Sequence, residues 1–142
     1  MKEAREIPVL LDGELTGVQF AGKSGFILSR DYDELNETAP SKDSVLLLPG
    51  FDPYLLGQQD KTPLIAAEHY KLVYRNQGWI SPVVLVNGQV AATWTSKPRS
   101  KALSIEIDPI QNVLKKTRAR IHDEAASLAE FLDTPFHLTF AS

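Results

Sequence analysis

Apolar positions in this chain fall into short runs, and the densest lies between Trp79 and Thr95, WISPVVLVNGQVAATWT. Two apolar arms flank Asn87-Gly88, and a two-residue type I′ turn needs positive φ at both central positions, which these residues tolerate. Folding about that turn pairs Val86 with Gln89, Leu85 with Val90, Val84 with Ala91, Val83 with Ala92 and Ser81 with Trp94. Side chains alternate along a strand, which assigns Val83, Leu85, Val90, Ala92 and Trp94 to one face. Val84, Val86 and Ala91 take the other. Neither face is polar, so the pattern predicts a hairpin covered on both sides, a central piece of a sheet.

The flanking pattern supplies the remaining elements. Ile7–Leu11, Val18–Phe20 and Gly25–Leu28 read as short strands, and Asp31 is placed to cap a helical turn carrying Leu35. The polar, proline-broken run NETAPSKD (36–43) is the best boundary. Ser44–Leu48 predicts a buried strand, and Phe51-Asp52-Pro53 a turn. Pro63 opens a predicted helix through EHYKLVY, with Leu64, Glu68 and Leu72 four apart. Leu103, Ile105 and Ile107 alternate with polar residues as a half-exposed strand. Pro109 then opens one long predicted helix, Ile110 to Leu132, whose Leu114, Thr117, Ile121, Ala125, Leu128 and Leu132 form a stripe. Phe136, Leu138 and Phe140 alternate as a last strand. The fold expected is α+β: a mostly antiparallel sheet, open or closed into a barrel, packed against the long C-terminal helix.

With 142 residues, the chain has the length of one domain plus a short appendage. It has no cysteine, which excludes disulfides and thiolate metal sites. No apolar run has signal-peptide or membrane-spanning length, so a cytoplasmic protein without membrane partners is expected. The net charge of −3 hides a segregation: residues 1–60 carry −6, residues 61–120 carry +7, and residues 121–142 carry −4. A basic island lies between acidic flanks.

Few motifs of catalysis are present. Gly17-Val-Gln-Phe-Ala-Gly22-Lys23-Ser24 formally fits a phosphate loop, yet that device needs a helix directly after it. Here an alternating strand pattern follows, and a glycine-rich strand connection is the better reading. His69, His122 and His137 lack metal-ligand spacing, and no nucleophile motif occurs, so no metal, cofactor or catalytic residue is assigned. Asp52 and Asp60 are a candidate carboxylate pair in principle, and Asp52 reads more simply as a turn cap. The basic set says more. Lys97, Arg99 and Lys101 sit in a loop, and Lys115, Lys116, Arg118 and Arg120 in the first half of the long helix, where the macrodipole disfavours cations. Phosphate contact and a solvated helix face both remain open for them.

LLLPGFDPYLLGQQD (46–60) and GWISPVVLVNGQVAATW (78–94), with Glu68-His69-Tyr70-Lys71-Leu72-Val73 between them, resemble the bacterial winged-helix DNA-binding-domain family. That family includes DNA glycosylases that excise alkylated bases and unhook interstrand crosslinks. The resemblance implies tandem winged helices followed by a β-barrel-like domain, of which this chain corresponds to the C-terminal part. Residues 1–43 would be wing strands plus linker, and 44–142 the β-rich domain. The resemblance implies that the catalytic glutamine signature of the glycosylases belongs to the N-terminal part; its nearest echo here, Gln58-Gln59-Asp60, has a polar middle residue and lies in a different element, so no catalytic role is carried over. Pro49, Phe51, Asp52, Pro53, Trp79, Pro82, Asn87, Gly88 and Trp94 are read as structural motif residues; Gly50 stands where alanine is expected more often. The function implied is a non-catalytic scaffold whose seven basic residues contact duplex DNA. The alternative is an interaction module, a homodimer or winged-helix partner joined through exposed apolar surface.

Overall fold

The computed structural model describes residues 11, 13–20, 22–39, 43–57, 59–99 and 102–141; for residues 20, 98 and 99 it describes the backbone. The chain divides into two compact units, Met1–Pro40 and Ser41–Ser142.

In the first unit, β1 (Leu15–Phe20) pairs antiparallel with β2 (Lys23–Leu28), and a short helix, α1 (Tyr32–Glu37), follows. Gly17 therefore lies in β1, and Lys23 and Ser24 in β2, with a strand where a phosphate loop needs a helix. The glycine-rich connection is a hairpin. The strand expected at Ile7–Leu11 lies largely outside the described residues.

The second unit is a five-stranded sheet in the order β3 (Val45–Leu48), β4 (Val83–Val86), β5 (Gln89–Arg99), β6 (Ala102–Pro109), β7 (Phe136–Phe140). Neighbours are antiparallel except β6 and β7, which are parallel and joined by the long helix α4 (Lys115–Phe131). The sheet does not close into a barrel. Its edge strands β3 and β7 both pack against α4, so a helix occupies the position where a strand ladder would complete closure.

Asn87 and Gly88 hold φ of 52° and 81°, as the predicted turn requires. The expected register holds for Val86–Gln89 and Leu85–Val90, then shifts by one, pairing Val84 with Ala92 and Val83 with Thr93. The extra residue, Ala91, is a β-bulge, and its carbonyl accepts a hydrogen bond from the Ile110 amide at 3.0 Å. A one-residue slip reverses every later side chain. Ala92 and Trp94 consequently join Val84 on the helix-packed face with Ile105, Ile107, Ile121 and Ala125, rather than Val83 and Leu85 as expected. Val83, Leu85 and Val90 form the other core with Leu55, Leu64, Ile65, Val73 and Ile80. Both faces are covered.

Two predicted helices are shorter than expected. The segment after Pro63 is mostly irregular, with one turn at Ala67–His69 and α3 (Tyr70–Val73). Leu64 is tied instead to the hairpin, its carbonyl accepting from the Val90 amide at 2.8 Å, while Leu72 faces solvent. The last helix begins at Lys115 rather than Ile110, because the Ile110 amide is bonded to β5 and Val113 is buried in the sheet core. Its buried stripe is Ile121, Ala125 and Ala129; the predicted end members Leu114 and Leu132 are exposed.

Candidate nucleic-acid interface

The two motif stretches, separated in sequence, meet in space. Phe51, held at φ 63°, sets its ring edge-on to Trp79 with centroids 5.1 Å apart. Asp52 caps the following short helix, α2 (Pro53–Gly57): its Oδ1 accepts from the Tyr54 amide at 2.8 Å. Asp60 likewise serves its own turn, accepting from the Thr62 amide and hydroxyl at 3.0 and 2.7 Å. Trp94 donates its indole N–H to the Leu48 carbonyl at 2.9 Å. Gly50 lies under the Ile80 carbonyl, and a Cβ there would stand 2.8 Å from that oxygen, so alanine does not fit without a shift.

The basic candidates among the described residues are not brought together. Lys97 and Arg99 end β5, whereas α4 starts beyond the far end of β6; that strand, Ala102–Pro109, spans roughly 23 Å. The C-terminal end of α4 returns to the Lys97 end, where the Leu103 amide bonds to the Pro135 carbonyl at 2.7 Å. Lys97 and Lys115 are exposed, Lys101 lies outside the described residues, and only the backbone of Arg99 is described.

The other three helix cations have partners within the fold. Lys116 Nζ is 2.8 Å from Asp43 Oδ2, and Arg120 reaches both the carboxylate, at 3.4 Å, and the carbonyl of Asp43. The hydrogen bond from Lys116, with the charges of Lys116 and Arg120, outweighs desolvation and holds the Asp43 carboxyl below its ordinary value. Asp43 itself sits at φ 85°, and its amide and that of Ser44 donate to Asn87 Oδ1 at 2.8 and 2.9 Å. The cations thus hold the start of β3 to α4, and Asn87 holds it to the hairpin turn. Arg118 donates to the Val113 carbonyl at 3.3 Å and lies 4.5 Å from the Phe140 ring centroid.

A second cationic surface was not legible as a unit in the sequence. Lys71, Arg75, Asn76, Gln77 and Trp79 line an open notch of about 620 Å³. An isolated bridge between Tyr74 and Ile80 closes the loop that carries it, and Gln77 and Gly78 turn the chain at φ 62° and 75°. The base is fixed: Val73 and Ile80 are buried, and Ser81 donates its amide to the Val73 carbonyl at 2.9 Å. Tyr74 stacks on Tyr70 at 4.7 Å and bonds to the Leu55 carbonyl at 3.1 Å; burial, with Tyr70 adding, raises its phenol above the ordinary value. The available signal was the pair of aromatics flanking Gln77-Gly78, with Lys71 and Arg75 alongside.

The histidines are dispersed. His122 packs on Phe136, His137 is exposed, and no group of three or more His, Asp or Glu among the described residues is placed to hold a metal. No described helix is long and apolar enough to cross a membrane.

Residues 1–131 match the family described as DNA glycosylase AlkZ-like. The chain belongs to this family. An interstrand DNA cross-link repair glycosylase of Streptomyces sahachiroi is 45% identical to the AlkZ-like chain over 82 residues, 57% of this chain and 22% of that protein. The solved structure of Streptomyces sahachiroi DNA glycosylase AlkZ matches it with a TM-score of 0.75 at 32% identity, covering 96% of this chain and 37% of that one. This AlkZ-like chain therefore spans little more than a third of that solved structure.

Proposed function

We propose that this chain acts as a non-catalytic scaffold and DNA-contacting module, the C-terminal part of an AlkZ-like glycosylase with winged helices, residues 1–43 being wing strands and linker. The observation that carries the reading is the match to a DNA-glycosylase family over residues 1–131, together with cations left outward at Lys97 and Lys115. Phosphate contacts of this kind position a protein on duplex DNA without reading bases. Lys97, Arg99, Lys101 and Lys115 carry most of the contact, and Lys116, Arg118 and Arg120 serve the fold first.

Retention of a duplex oligonucleotide tests this. Binding at low salt that weakens steeply as salt rises is expected, because neutralised phosphates release counterions. A variant with Lys97, Arg99, Lys101 and Lys115 changed to alanine binds less and with a shallower salt dependence. Equal retention by variant and parent overturns the reading, and excision of an alkylated base by the chain alone overturns its non-catalytic part.

A second reading rests on apolar surface. Phe131 is 86% exposed at the end of α4, next to exposed Leu132. Such a patch fits a dimer or protein contact. A dimer in sedimentation that Phe131→Ser dissolves, with no duplex bound at low salt, favours it.

A further inference from the structure

We infer that the Lys71–Arg75–Trp79 notch is a binding site for single-stranded DNA, with the Trp79 indole stacking on an unpaired base and the two cations holding its phosphates. The inference deepens the DNA-contacting reading above and rests on it.

The two tryptophans state the case. Trp94 is 8% exposed and spends its N–H on the Leu48 carbonyl, so it serves the core. Trp79 is 58% exposed, on a loop whose base is pinned by buried Val73 and Ile80. A flexible loop could fold its indole away; this one is held out by the Tyr74–Ile80 bridge and by the Arg75 amide bonded to the Trp79 carbonyl at 2.8 Å. Phe51 meets the indole edge-on, at an interplanar angle of 84°, and fixes its orientation. A rigid, presented aromatic surface is what base stacking uses, and every base offers a π-face.

Charge selects the rest of the ligand. Lys71 and Arg75 line the notch, and no acidic residue does among the described residues. Asn76 and Gln77 add amides able to donate or accept. Cations beside one exposed ring favour a phosphate-linked planar group over an apolar peptide, and a paired duplex keeps its base faces stacked away from the indole. A strand with unpaired bases satisfies both requirements. The site lies apart from Lys116, Arg118 and Arg120, whose side chains are engaged with Asp43, Val113 and Phe140.

The test is tryptophan fluorescence of the full chain titrated with short oligo-deoxythymidine at low salt, with thymidine monophosphate and a blunt duplex as parallel ligands. The exposed Trp79 should be quenched saturably by the oligonucleotide, with weaker effects from the mononucleotide and the duplex. Trp79→Phe should abolish the optical change while leaving the Trp94 emission. By anisotropy of labelled oligonucleotide, Trp79→Ala should weaken binding about tenfold. Lys71→Gln with Arg75→Gln should weaken it and flatten its salt dependence while the indole stays in place; emission from Trp94 reports that each variant is folded. Unchanged oligonucleotide affinity in both variants overturns the inference, and if Lys97→Ala and Lys115→Ala still lower duplex affinity, the broader reading survives that failure. No binding of any DNA at low salt overturns both. Dimerisation that Trp79→Ala abolishes, without quenching by oligonucleotide, would give the notch to a second copy of the chain.

Discussion

The two basic stretches of the chain carry the same sign of charge and do different work. On α4, Lys116 and Arg120 converge on Asp43, and Arg118 closes the first turn against Val113 and Phe140. At the other end of β6, Lys97 points into solvent. The first group holds β3 and the hairpin turn to the helix, compensating for cations placed at a helix N-terminus, where the macrodipole opposes them. Lys97 meets no such partner among the described residues. A count of positive residues therefore overstates the charge available to a partner, and partners within the fold decide how much remains.

Substitutions can break that contrast, beginning with the largest effect. Ile121→Ala removes a fully buried side chain from the face of α4 that packs on the sheet, and should cost about 2–5 kcal/mol of unfolding free energy in a denaturant titration. If α4 were mainly a charged surface element, the loss would be far smaller. Gly50→Ala forces a methyl against the Ile80 carbonyl and should cost about 1–3 kcal/mol, a test that the motif turn is structural.

Asp43→Asn should have a smaller effect on stability and a telling one on binding. Its carboxyl is held below the ordinary value, so its contribution is complete above the unfolded-state value and lost as pH falls through the lowered native one. The difference in Tm between parent and variant should therefore be full near neutral pH and shrink below about pH 4. The same substitution removes the ion pair with Lys116 and leaves Arg120 only its bond to the backbone carbonyl, and duplex affinity should rise. No rise would show that those cations were available already. Smallest of all in stability, Lys97→Ala should leave Tm unchanged while reducing the salt slope of duplex binding by about 0.9.

Most elements of the fold were legible, because apolar period and turn chemistry are local. Asn87-Gly88, the alternation at Leu103–Ile107 and the stripe around Ile121 and Ala125 all lie within single elements. The bulge at Ala91 was not legible. With apolar residues on both faces of the hairpin, a slip by one residue costs nothing in the pattern, and the choice is made by a distant partner, the Ile110 amide. That same bond delays the start of α4 despite Pro109. Barrel closure was undecidable for a related reason: the strand pattern does not say whether a helix or a strand spans the sheet edges. The candidate site was harder still. Asp43 is more than seventy residues from the cations it binds. The notch exists only because Tyr74 and Ile80 pair across a turn of left-handed residues.

The most direct test compares two triple variants for duplex affinity across a salt series, each with its Tm. Lys97→Ala, Arg99→Ala and Lys101→Ala together should flatten the slope by about 3 at unchanged Tm. Lys116→Ala, Arg118→Ala and Arg120→Ala should lower Tm and leave most of the slope. A helix variant that loses the slope while keeping its Tm would contradict the account.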